Sequence, residues 1–326
     1  MQHQALIAID VGGTKSLVAC ADIATGEVHS MRLPTHLPGE NGRQTLERLC
    51  SAARELTPSG REIAAAAAVF PGVVRDGELT LSPNTPALNG LALAPLIRES
   101  LTPGGSELPV LLDNDVKAGA LAESQYGALA GTRHALYLNL GTGLSAASIV
   151  DGRVMQGDRG AAMEIGYMLS PFLTPDALLD GSRQLPGVAP LESIFSGGAL
   201  DAWAREVCGE QACAQDLFVS QDPGISEALD RRILAWAAQV TNLAVALDVK
   251  QIAMAGGMTR HFERLAQVLN TVLTRFVPFP PAVVMARFAD DAPLRGALVM
   301  ASTSAGLTGA TLEDLNRQLD RVGVRQ

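Results

Sequence analysis

The stretch IAIDVGGTKSLVACADIATGEV, Ile7 to Val28, decides the fold. The apolar run Ala5–Asp10 reads as a buried strand, Gly12-Gly13-Thr14 as a turn, and Ser16–Asp22 as a second strand. Glu27–Leu33 forms a third after a turn at Gly26. The pattern recurs in LYLNLGTGLSAASIVDGRV, Leu136 to Val154. There Ala135–Leu140 is an apolar strand, Gly141-Thr142-Gly143 a turn, Leu144–Val150 a second strand, and Asp151-Gly152 leads to Arg153–Met155. One short gap aligns the two stretches, so a supersecondary unit is duplicated, and two related α/β domains follow.

Working outward, Asn41–Leu56 carries leucines at helical spacing. Glu62–Phe70 contains five consecutive alanines, which suit a helix or a strand; the short run ends in Val-Phe before Pro71-Gly72, which favours a strand. Pro109–Leu112 is a further strand, and Asn114 stands at an N-cap position before a helical run from Val116 to Ala130. Helices are expected over Leu191–Val207 and Ile225–Leu247, a strand over Gln251–Ala255, and a helix from Thr259 after Gly256-Gly257. A strand over Ala282–Ala286 and terminal helices from Pro293 and Thr311 complete the chain. Residues 1–115, completed by a C-terminal helix at about 300–326, are expected to form one domain and 116–300 the other, hinged near 113–120 with no low-complexity tether.

The chain has 326 residues against a domain prior of about 150, which agrees with two domains. A hydrophobic share of 47% with 18% charged residues excludes intrinsic disorder. The net charge of −9 argues against a nucleic-acid partner. Cys20, Cys50, Cys208 and Cys213 include no CxxC pair. The N-terminus lacks the pattern of a signal peptide, and the longest uncharged stretches are broken by Pro, Asn, Gly and hydroxyl residues, so no membrane span is expected. The reading is a cytoplasmic protein without a membrane partner.

A strand, Gly/Thr turn, strand unit presents backbone N–H groups and a hydroxyl to a phosphate, because glycine permits dihedrals that aim successive amides inward. Either turn alone also closes ordinary hairpins; its duplication favours phosphate binding. Asp10, at the carboxyl end of the first strand, is placed to hold Mg²⁺ or its water ligands, or else caps the turn. Asp113-Asn114-Asp115 lies where a strand passes into a helix, a position suited to a general base or to a helix cap.

In order along the chain, IAIDVGGTK, VFPGVV, LLDNDVKAGALAE, LNLGTGL, GDRGAAMEIGYM and IAMAGGM resemble the motifs of the ROK family of sugar kinases and sugar-responsive repressors, over residues 6–300. The resemblance implies the actin-like fold, two ribonuclease-H-like domains with nucleotide and sugar in the cleft between them. It makes Asp115 the base that takes a proton from a sugar hydroxyl, commonly the 6-OH. Gly12, Gly13, Thr14 and Lys15 with Gly141, Thr142 and Gly143 would hold phosphates, and Gly256-Gly257 would pass beneath the nucleoside. Asn114, Glu164 and Glu192 match sugar-binding positions, with Asn84 and Asn89 matching less closely. The implied cofactors are ATP and Mg²⁺, and the implied assembly is a homodimer. Phosphoryl transfer requires positioning and charge neutralisation more than covalent participation, which such a set supplies.

Three departures bear on function. Tyr167 stands where the family has a histidine that binds sugar and zinc, and the interval Met168–Leu191 contains no cysteine where the family has a cysteine-rich segment; no structural zinc is expected. GTGLSAAS replaces a glycine-richer continuation after Gly143. The leading expectation is a hexokinase-type enzyme acting on glucose, with N-acetylmannosamine, N-acetylglucosamine or fructose as alternative acceptors and polyphosphate as an alternative donor. The Tyr167 phenol is expected to crowd a bulky 2-substituent. A repressor would need a helix-turn-helix ahead of Asp10, and a sugar sensor without catalysis would not need Asp115.

Overall fold

The apolar runs become the central strands of two five-stranded sheets. The structure, a computed structural model, describes residues 3–104, 107–169, 190–288, 291–307 and 317. By its contacts the chain divides into two units, Met1–Tyr126 with Gln156–Ala161 and Asp291–Gln326, and Gly127–Met155 with Ala162–Asp290.

In the first unit β1 (Gln4–Val11), β2 (Lys15–Asp22) and β3 (Val28–Pro34) form an antiparallel meander. After α1 (Gly42–Glu55), β4 (Glu62–Phe70) pairs parallel with β1, and β7 (Val110–Asn114) pairs parallel with β4. The sheet order is β3-β2-β1-β4-β7. A hairpin of β5 (Val73–Arg75) and β6 (Glu78–Leu81) and helix α2 (Leu93–Leu101) lie between β4 and β7 in sequence.

The alanine run is a strand, because β4 is clamped between β1 and β7. Ala66 and Ala68 join the core with Ile7, Ile9, Leu46 and Phe70, while Ala65 and Ala67 join Leu6, Ala8 and Leu298 on the opposite face. Sheet pairing on both sides overrides the helix propensity of alanine, and small side chains let helices approach either face.

Helix α3 (Asp115–Tyr126) stops before Gly127, short of the expected Ala130. Ala118 of α3 shares a core with Leu294, Ala297 and Ala301 of the last described helix, Ala292–Ser304, which places both helices in the first unit. The division therefore follows Tyr126 and not residue 115. The expected terminal helix from Thr311 lies, apart from Arg317, outside the described residues.

The second unit repeats the arrangement. Strands β8 (Ala135–Leu140), β9 (Leu144–Val150) and β10 (Arg153–Val154) form the meander, and β11 (Gln251–Ala255) and β12 (Ala282–Met285) add in parallel, in the order β10-β9-β8-β11-β12. Helices α4 (Gly197–Cys208), α5 (Ala214–Val219), α6 (Pro223–Leu247) and α7 (Phe262–Phe276) belong to this unit, and Ala292–Ser304 is α8. Leu136, Leu138 and Leu140 pack with Phe195, Trp236, Leu265 and Leu269 beneath these helices. No described helix is long and apolar enough to cross a membrane.

Candidate functional site

In the first unit β1 ends at Val11, and Gly12–Thr14 turn the chain into β2. Thr35 fixes the turn from behind: its hydroxyl donates to Gly12 O at 2.7 Å and its N–H to Thr14 O at 2.9 Å. Asn84 lies against Gly13, where a Cβ would stand 3.3 Å from the Asn84 Cβ. The structure thus brings Asn84 to the first glycine turn. Asn89, exposed, donates to Ser82 O at 3.3 Å and helps fold its own loop. Lys15 opens β2 and is exposed.

Asp113, Asn114 and Asp115 cross from β7 into α3. Asn114 is buried and is the cap: its Oδ1 accepts from Lys117 N at 3.0 Å and its Nδ2 donates to Gly72 O at 2.9 Å. The capping reading is realised at Asn114, which leaves Asp115 a partly buried carboxylate at the helix start whose Oδ1 accepts from Val116 N at 2.9 Å. Asp113 accepts from Asn114 N at 2.7 Å and from Gln156 Nε2 at 2.9 Å; burial pushes its carboxyl above the usual range against these bonds and Lys117. Lys117 is buried, and its ammonium donates to Gln156 O at 3.2 Å and to Gly160 O. Burial, and then the charge of Asp115, push Asp10 up to about 8.

The two carboxylates therefore share one neighbourhood. Two neighbouring carboxylates are hard oxygen donors that suit Mg²⁺, which binds through one or two carboxylates plus substrate phosphates. Among the described residues no group of three His, Cys, Asp or Glu is placed to hold a metal, and residues 170–189 of the cysteine-free interval lie outside the description. The four cysteines are free thiols, Cys20 and Cys50 buried, Cys208 and Cys213 exposed.

In the second unit Gly141–Gly143 join β8 to β9. The start of α4 is stitched to this turn, Gly197 N to Gly141 O and Gly198 N to Thr142 O, each at 2.9 Å. Ser196 caps α4 by accepting from Ala199 N, so the helix expected from Leu191 starts at Gly197 and Glu192 lies in the preceding turn. From there Glu192 Oε2 accepts from Leu144 N at 2.7 Å. Glu164 and Glu192 both act on Tyr167, whose phenol is held above its usual range by burial and then by these two carboxylates. Glu164, Tyr167 and Glu192 are thereby brought together.

A cavity of about 430 Å³ adjoins the second turn, lined by Gly141, Thr142 and Gly197 on one side and by Asp201, Gln215 and Arg260 among others. Gly257 and His261 also line it. Gly256 takes φ +91°, and a Cβ there would stand 2.5 Å from Leu140 O, so the crossing of this turn over β8 requires glycine. His261 stacks on Phe218 with ring centroids 3.7 Å apart, and burial, then Arg260 and Arg264, lower its proton affinity. Sequence reasoning missed Asp201, Gln215, Phe218, Arg260 and His261. Only the last two carried a signal, their place within four residues after Gly256-Gly257.

Two sheets of identical strand order, each with a glycine turn after its first strand, define an α/β protein of the actin-like ATPase fold, with a cavity in the second unit beside the second glycine turn. The chain belongs to the ROK family, whose sequence profile matches residues 6–304. It is 32% identical over 304 residues to an N-acetylmannosamine kinase of Salmonella heidelberg (strain SL476), covering 90% of this chain and 97% of that protein. A ROK hexokinase from Thermus thermophilus superposes with a TM-score of 0.73 at 25% identity, covering 93% of this chain and 99% of that one. A ROK family glucokinase from Streptomyces griseus, solved with glucose and AMPPNP, shares the fold with a TM-score of 0.69 at 22% identity, over 92% of this chain and 99% of that one.

Proposed function

We propose that this ROK-family chain, a sugar kinase like the relatives it matches, transfers the γ-phosphoryl group of ATP to a hydroxyl of a hexose-type sugar. The observation that carries the reading is the division of labour between Asn114 and Asp115: the amide caps α3, and the Asp115 carboxylate stands at the helix start with its charge acting on Asp10. Asp115 accepts the proton of the acceptor hydroxyl as its oxygen forms a bond to the γ-phosphorus and the bond to the β,γ-bridging oxygen breaks, releasing ADP. The backbone amides of Gly12–Thr14 and Gly141–Gly143 hold the phosphates, and the cavity bounded by Gly257 and His261 receives the nucleoside. Asp10 would hold Mg²⁺ directly or through water, and the ion would neutralise phosphate charge. Asn114, Glu164, Tyr167 and Glu192 recognise the acceptor, with Asn84 and Asn89 as further candidates.

The relative at 32% identity supports N-acetylmannosamine as acceptor. Glucose is the second reading, supported by Tyr167, whose phenol lies near both Glu164 and Glu192 and narrows the room for a 2-acetamido group. The test is a coupled ADP-release assay over glucose, fructose, N-acetylmannosamine and N-acetylglucosamine with ATP and with polyphosphate. Turnover of one of these sugars with ATP supports the reading, and no turnover with any of them rejects it.

A further inference from the structure

Glu192 does more than face a sugar. One of its oxygens is committed to the second glycine turn, through the 2.7 Å bond from Leu144 N, the amide directly after Gly143. A carboxylate accepting from a backbone amide makes a strong, charge-assisted bond. The fit around it is close: a Cβ on Gly143 would stand 2.9 Å from Glu192 Oε2, and one on Gly166 would stand 3.2 Å from the Glu192 Cβ and 3.3 Å from Oε2. The backbone of the same residue is tied elsewhere. Leu191 N and Glu192 N both donate to Gly166 O, at 3.1 and 3.2 Å, within the short turn that carries Tyr167.

The backbone of Glu192 is therefore part of the acceptor-recognition segment, and its side chain is part of the phosphate turn. Residues 197 and 198, five and six positions on, return to the same turn through Gly141 O and Thr142 O. We propose that Glu192 is a positioning residue that couples the two ligands: acceptor sugar at Glu164, Tyr167 and Glu192 fixes the Glu192 carboxylate, and the fixed carboxylate holds the Gly141–Gly143 turn in its nucleotide-binding form. The proposal rests on the sugar-kinase reading above. A hydroxyl bound at the second oxygen adds a further constraint on the carboxylate that holds Leu144 N, so part of the ordering of the turn is already met when nucleotide arrives. Linkage makes the effect reciprocal, so nucleotide tightens sugar by the same factor.

The test measures the affinity of a non-hydrolysable ATP analogue with Mg²⁺, by titration calorimetry, without sugar and with the sugar that the hexose panel identifies. In the unmodified protein, saturating sugar is expected to tighten the analogue by about fivefold or more, the lower end of the usual coupling range. Glu192→Ala is expected to weaken the analogue in the absence of sugar and to bring the coupling factor to about 1. Glu192→Gln keeps an oxygen acceptor for Leu144 N–H and is expected to leave the sugar-free analogue affinity near that of the unmodified protein while weakening sugar. Should Glu192→Ala fail to fold, Glu192→Asp decides, because it keeps the charge but draws the carboxylate back from Leu144 N; reduced coupling is expected. A bound sugar with no coupling in the unmodified protein, or coupling unchanged in Glu192→Ala or in Glu192→Asp, overturns the proposal. If no sugar binds at all, the sugar-kinase reading fails and this proposal with it, whereas sugar turnover without coupling fails the proposal alone.

Discussion

Asp115 raises the proton affinity of Asp10: the carboxylate that opens α3 adds its charge to burial at the end of β1, and Asp10 is pushed up to about 8 from an ordinary value of 3.8. The sign of the consequence follows from linkage. Between pH 4 and 8, roughly, the folded chain holds a proton on Asp10 that the unfolded chain has released. The contribution of this group to stability is greatest below pH 4, roughly, declines as pH rises, and is gone above pH 8, roughly, where the folded state carries the full cost of the buried charge. In metal-free buffer Asp10→Asn is expected to melt higher than the unmodified protein at pH 9, with the difference shrinking towards pH 4. Thermal melts over that range check this, and equal differences at both ends would refute the assignment.

Asp115→Asn keeps the size and polarity of the residue and leaves the Asn114 cap untouched. Turnover is expected to fall by about 10²-fold or more, the scale of losing a general base, with sugar affinity retained. Steady-state rates together with direct sugar titration separate the two effects, and near-normal turnover would remove Asp115 from its role.

Gly256→Ala places a methyl 2.5 Å from Leu140 O and 2.7 Å from Asn139 Oδ1 at φ +91°. The strain is expected to cost about 1–3 kcal/mol in chemical denaturation. Because Gly256 O accepts from Thr259 N at the start of the turn that lines the cavity, nucleotide affinity should suffer more than sugar affinity. A variant as stable as the parent would show that the crossing over β8 tolerates a side chain.

Tyr167→His shortens the side chain beside Glu164 and Glu192. The ratio of kcat/KM for N-acetylmannosamine to that for glucose is expected to rise in the variant, whichever sugar the unmodified protein prefers. The four specificity constants check it; a ratio that falls would remove Tyr167 from control of the 2-position.

Much of the fold was legible because the strands are long apolar runs broken by glycine turns, signals that hold whatever surrounds them. Ile7–Val28 and Leu136–Val154 are meanders in both reading and structure. The failures have local causes. Glu192 reads as the start of a helix because Leu191, Ile194 and Phe195 have helical spacing, yet Ser196 begins the helix only at Gly197. The two glycines there serve the approach to Gly141 and Thr142 at the expense of propensity. The hairpin Val73–Leu81 and the six-residue α5 are too short to show a period. The cavity wall was hidden for another reason: Asp201, Gln215, Phe218 and Arg260 come from separate segments that only tertiary packing joins.

The contribution of α8 to the first sheet sets an order of events during synthesis. One face of that sheet, with Leu6, Ala8, Ala65 and Ala67, is closed by Leu294, Ala297, Leu298 and Ala301 of α8, nearly three hundred positions along the chain. The strands that leave the ribosome first must wait with that face open while most of Gly127–Asp290 emerges and gathers its own core. A chain whose elongation stops short of residue 292 carries an exposed apolar sheet face and is a target for chaperones and proteases.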